Sequence, residues 1–74
     1  MISMTVSKNT IGSNIKSRRK NQNLSQEQLA SNAGIKYSNL VKIENSLINK
    51  PSVHTIYRIA KSLDTTVENL IEAK

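Results

Sequence analysis

Apolar residues along this chain recur with helical rather than alternating spacing, and no stretch reads as a strand. From about 10 to 22, Ile11 and Ile15 followed by Arg18 and Arg19 predict an amphipathic helix with a short apolar stripe, ended by Asn21-Gln22-Asn23. Leu24 then stands alone before Ser25-Gln26-Glu27-Gln28. Ser25 with Gln28 three residues later has the form of a capping box, and Leu24 occupies the staple position ahead of the cap. A second helix is therefore expected from about 26, with Leu29, Ala30 and Ala33 as its inner face. Gly34 stops it, because the left-handed conformation carries no side-chain penalty in glycine.

A third helix, from about 37 to 46, turns Leu40 and Ile43 inward. The loop Leu47 to Lys50 leads to Pro51-Ser52, and the clearest stripe follows: Val53, Ile56, Tyr57, Ala60 and Leu63. That spacing predicts a fourth helix over 52–63 with Ser52 as its cap. Asp64 ends it, and Val67, Leu70 and Ile71 mark a short fifth helix. Its cap is either Thr65, with Glu68 completing a box, or Thr66. The fold class read from the pattern is all-α, five short helices.

At 74 residues the chain is expected to hold one domain, over 9–74, preceded by a flexible polar arm at 1–8. Without cysteine it has no disulfide framework, no thiolate zinc site and no cysteine nucleophile, which fits a reducing cytoplasm. No segment has the apolar length of a signal peptide or a membrane span, so a soluble cytoplasmic protein is expected. The 11 Lys and Arg against 5 Asp and Glu give a net charge of +6, unevenly placed. Residues 1–63 carry ten cations against Glu27 and Glu44, whereas 64–74 carry Asp64, Glu68 and Glu72 against Lys74. A basic body with an acidic end points to a polyanion partner met by one part of the molecule.

Catalysis finds little material. His54 is the single histidine, on the polar side of the fourth helix, and no second ligand stands at metal-binding spacing. The five carboxylates form no facing pair for acid–base work, and no glycine-rich phosphate loop is present. No catalytic residue, metal, cofactor or small-molecule ligand is expected, and no enzyme activity.

The informative stretch is about 26–45. Two helices are joined by a glycine turn, with Leu29, Ala30, Ala33, Gly34, Ile35, Leu40 and Ile43 at offsets that each have a packing role. Ala30 is small where helices approach, Gly34 turns the chain, and the others fill the wedge between. This is the constraint set of a helix-turn-helix, whose second helix can lie in a DNA major groove. The runs "IKSRRKNQNLSQEQLASNAGIKYSNLVKIENS" and "KPSVHTIYRIAKSLDTTVENLI" resemble the Xre/Cro/phage-repressor, or lambda repressor-like, helix-turn-helix family over about 10–72. The likeness extends to small stand-alone regulators such as restriction–modification controller proteins.

The resemblance implies a five-helix DNA-binding domain and assigns roles by position. Ser25 and Gln26 would meet a phosphate at the start of the second helix, where free N–H groups and the helix dipole suit an anion. Lys36, Tyr37, Ser38 and Lys42 would contact bases, with Asn39 and Asn45 at the margin as phosphate contacts. Val41 would either touch a thymine methyl or be partly buried. Lys36 departs from the family pattern, which has Ser, Thr or Asp there as a cap. A lysine can accept no N–H bond and faces the wrong end of the dipole, so a phosphate nearby would offset the loss. Asn49, Lys50 and Ser52 would form a second phosphate clamp, on a loop one residue longer than the usual pattern.

Arg19 and Glu44 match a pair that forms an internal ion pair in the family; a phosphate contact by Arg19 is the alternative. Val67, Leu70 and Ile71 would form a dimer interface, or else only close the core. The function implied is a sequence-specific regulator of transcription, repressor or controller, bound as a homodimer to a near-palindromic operator in double-stranded DNA. The alternative is an antitoxin-like or anti-regulator module using the same fold to bind a protein; a third reading is nonspecific nucleic-acid binding. No second domain for ligand sensing is expected within the chain.

Overall fold

The computed structural model describes residues 11–48 and 50–72. They form five helices: α1 (Ile11–Asn21), α2 (Gln26–Ala33), α3 (Tyr37–Glu44), α4 (Val53–Ser62) and α5 (Val67–Glu72). No strand occurs among the described residues, so the five-helix, all-α expectation is met. The arm at 1–8, residues 9 and 10, and Asn49 lie outside the described residues.

The boundaries follow local chemistry. Ser25 Oγ accepts from the Gln28 N–H at 3.0 Å, and Gln28 Oε1 accepts from the Ser25 N–H at 2.8 Å, the reciprocal box that the sequence predicts. Gly34, at φ 70°, closes α2, and the Ile35 N–H reaches back to the Ala30 carbonyl at 3.0 Å. Asn23 and Asp64, both at φ 59°, end α1 and α4 as expected, and Ser46 does the same after α3 at φ 62°. The cap of α5 is Thr66, whose Oγ1 accepts from the Asn69 N–H at 3.1 Å; Thr65 takes the Asn69 side chain instead.

The core joins Ile15 of α1, Leu29, Ala30 and Ala33 of α2, Leu40 and Ile43 of α3, and Ile56, Ile59 and Ala60 of α4, with Leu63 and Leu70. This corrects the α4 stripe. Val53 is 78% and Tyr57 51% exposed, and Ile59, which the predicted stripe omitted, is fully buried. At 3.6 residues per turn, Ile56, Ile59, Ala60 and Leu63 centre one face, and Val53 and Tyr57 lie roughly 70° and 110° off it. Tyr57 instead packs under Lys61, whose Nζ stands 5.7 Å from the ring centroid.

Polar ties complete the closure. Asn14 of α1, buried, donates to the Leu70 carbonyl of α5 at 2.6 Å, and Gln22 donates to the Leu63 carbonyl at 2.8 Å. Both occupy carbonyls at helix ends that have no partner within their own helix. Gly12 marks the closest approach of α1 to α3: a Cβ there would run into the carbonyl oxygens of Ile43 and Glu44.

Candidate nucleic-acid interface

The pair α2–α3 is held from behind by one carboxylate. Glu44, the last residue of α3, accepts from Arg19 Nε at 2.8 Å on Oε2 and from Arg19 Nη2 at 3.1 Å on Oε1. Its side chain is wholly buried and that of Arg19 is 10% exposed. Arg19 Nη1 also donates to the Leu24 carbonyl at 2.8 Å, just ahead of α2. The predicted ion pair is therefore present in two-pronged form, and Arg19 is directed inward rather than toward solvent.

Glu44 has a second partner that the sequence did not disclose. Gln26, in the first turn of α2, donates its side-chain amide to Glu44 Oε1 at 3.1 Å. Arg19, Gln26 and Glu44 thus tie α1, the start of α2 and the end of α3 at one point. Gln26 was expected to reach for a phosphate with this amide. That bond uses one of the two amide hydrogens, and Ser25 takes the Gln28 N–H. The donors left in the first turn are the second amide hydrogen and the N–H groups of Gln26 and Glu27.

The opposite side of α3 is open. Leu40, Ile43 and Glu44 are buried, whereas Lys36, Tyr37, Ser38, Asn39, Lys42 and Asn45 are exposed and Val41 is half-buried. All four residues expected to read bases are therefore exposed, Lys36 at the cap position and Tyr37, Ser38 and Lys42 on α3 itself. Lys36 sits at the cap position in extended backbone, φ −69° and ψ 137°, and supplies no side-chain cap. The departure noted in the sequence is a physical vacancy at the helix start, with an ammonium in place of an acceptor.

Lys50 and Ser52 come beside this face through a groove of about 250 Å³ lined by Asn39, Ile43, Ile48, Lys50, Pro51, Ser52 and Thr55. Asn39 of α3 and the start of α4 thereby share one surface. Ser52 caps α4, its Oγ accepting from the Thr55 N–H at 3.1 Å and donating to Thr55 Oγ1 at 2.9 Å. Asn49, the third candidate in that loop, lies outside the described residues.

Arg58 is a further positioning residue that sequence reasoning missed. From α4 its Nη1 donates to the Gly34 carbonyl at 3.1 Å, strapping the turn between α2 and α3. Its Nε donates to His54 Nε2 at 3.1 Å, so the one histidine lies on the surface as a partner of an arginine. No cluster of three or more His, Cys, Asp or Glu side chains that could hold a metal occurs among the described residues.

The three apolar residues at the acidic end are buried to different degrees. Of Val67, Leu70 and Ile71, Leu70 is wholly inside the core, Val67 packs partly against it, and Ile71 is half exposed. Leu70 is thus taken up within the monomer, and Ile71 is the one of the three left open to a partner. None of the described helices is long and apolar enough to cross a membrane.

The helix-turn-helix family model matches residues 15–70. The HTH-type transcriptional regulator SinR of Bacillus subtilis (strain 168) is 36% identical over 64 residues. That match takes in 86% of this chain and 58% of the relative, so the chain spans little more than half the relative's length. Among solved structures, the N-terminal DNA binding domain of SinR from Bacillus subtilis superposes with a TM-score of 0.86 at 34% identity, covering 90% of this chain and 97% of that one. The master regulator for biofilm formation SinR in complex with DNA gives 0.80 at 36% identity, covering 82% and 97%.

Proposed function

The chain belongs to the helix-turn-helix family, and from that membership we propose that it is a sequence-specific double-stranded DNA-binding regulator of transcription, acting as a repressor in the cytoplasm. The observation that carries the reading is the division of α3. Its inner side is fixed by Leu40, Ile43 and the buried Glu44, and its outer side presents Lys36, Tyr37, Ser38 and Lys42 together. An exposed row of donors on a rigid helix is what base reading in a major groove requires. Lys42 donates to guanine O6 and N7, Ser38 to a neighbouring base or phosphate, and Lys36 to the backbone at the helix start.

Phosphates are held on either side of the reading helix. The start of α2 takes one through its first-turn N–H groups, and the groove at Lys50 and Ser52 takes another, with Asn39 and Asn45 at the margin. The chain pairs as a homodimer through the Ile71 side of α5, placing two reading helices on half-sites about 34 Å apart in a near-palindromic operator. The acidic α5 then lies away from the phosphates, where it adds no repulsion.

The test is fluorescence anisotropy of the full chain against a duplex selected from a random pool and against a scrambled duplex. Selective binding that weakens linearly in log salt is expected. Absence of binding at about 50 mM salt overturns the reading in favour of a protein-binding module, and binding without preference reduces it to nonspecific association.

A further inference from the structure

The outer side of α3 carries, beside its lysines, an apolar pair that the fold does not use. Tyr37 is 49% exposed in the first turn. Val41 is half-buried, yet the half-buried apolar residues that pack on the core are Ile11, Leu24, Ile35, Ile48 and Val67. Val41 is not among those packed on the core. Residues i and i+4 are neighbours on a helix, so ring and isopropyl group form one patch, bordered by Ser38 and Lys42.

Among the described residues, no core packing accounts for that patch. A β-branched residue loses rotamer freedom in a helix, a cost that burial of its apolar surface offsets. Val41 meets the cost without core packing, at the centre of a face otherwise built of donors. A surface that pairs donors with one apolar patch matches the floor of a major groove, where the apolar feature is the 5-methyl group of thymine.

We propose, resting on the DNA-reading role of α3 set out above, that Tyr37 and Val41 select thymine in the half-site by contact with its 5-methyl group. Lys42 and Ser38 then read the polar edges of the adjoining bases, and specificity is divided between a methyl-sensing patch and its donor border. The ligand class is a half-site with one thymine, or two adjacent ones, facing the middle of α3.

Anisotropy with the selected duplex tests this, each thymine of the half-site being replaced in turn by deoxyuridine. That exchange removes the methyl group and leaves every hydrogen-bonding group in place. At one or two adjacent positions the replacement is expected to raise Kd about fourfold, the worth of one buried methyl group. The variant Val41→Ser removes both methyl groups from the side chain; it should bind thymine and uracil duplexes alike. Tyr37→Ala should lose discrimination at the neighbouring thymine.

The inference is overturned if deoxyuridine at every position leaves Kd unchanged, if the selected half-site contains no thymine, or if both variants keep the discrimination. In each of those cases the selected duplex still binds, so the DNA-reading role survives. If no duplex can be selected, that role itself falls. The deoxyuridine series on the unaltered chain decides the matter even should a variant fail to fold, which circular dichroism would reveal.

Discussion

Two helices of equal length, α2 and α3, eight residues each, are finished in opposite ways. The chain closes α2 with its own groups at both ends, a reciprocal box at Ser25 and Gln28 and a left-handed glycine strapped by Arg58. It closes α3 only at the back, where Glu44 meets Arg19 and Gln26. The front of α3 begins on Lys36 with no cap. The contrast separates two uses of a helix end. At the start of α2 the chain supplies the acceptor for the Gln28 N–H itself. At the start of α3 no side chain does so, and the N–H groups that a cap would take are left for a ligand.

The strongest way to break this contrast is at the back of α3. Replacing Glu44 with Ala leaves the Arg19 guanidinium buried without its counter-charge, and a loss of about 3–5 kcal/mol is expected in urea unfolding. A variant as stable as the parent would show that the two faces are not separate. Removing Lys42 acts on the front alone: Lys42→Ala should weaken the selected duplex by about 1–3 kcal/mol and relax preference at one base. Its thermal midpoint should stay where it was, because the side chain is exposed.

Smaller effects sharpen the comparison. Ser25→Ala removes the acceptor that holds the Gln28 N–H, and about 1 kcal/mol of stability should go with it. Lys36→Thr is the informative reversal. Supplying the missing cap should raise stability by up to about 1 kcal/mol, while taking a cation from the end proposed to face DNA should weaken binding. Calorimetry and anisotropy on one preparation would register the opposite signs; unchanged binding would leave Lys36 as a plain defect.

How much of this was legible in the sequence depends on range. The box at Ser25, the turn at Gly34 and the ends at Asn23 and Asp64 are local, decided within four or five residues, and could be read directly. The phase of α4 was not. Val53-Ile56-Tyr57-Ala60 and Ile56-Ile59-Ala60-Leu63 are equally good apolar stripes, and only the position of α2 and the core selects the second. Tyrosine compounds the ambiguity, because its ring is apolar enough to be counted inward and polar enough to stay out.

The site divides along the same line. The outward set on α3 followed from helical geometry once Leu40 and Ile43 were fixed inward. Arg19 and Glu44, 25 residues apart in sequence, were linked through family resemblance, since no spacing rule connects them. Gln26 on Glu44, Arg58 on the Gly34 carbonyl and the tight passage at Gly12 depend on how whole helices cross, and no local signal marked them.

The bond from Asn14 to the Leu70 carbonyl spans 56 residues. During synthesis, α1 leaves the ribosome first and then has to wait for its last partner. Until α5 emerges, α1 lacks the contact that closes the domain, and the apolar sides of α1 and α4 stay incompletely covered. A chain truncated before residue 70 is therefore expected to lose the cooperative unfolding of the domain, which urea unfolding would register.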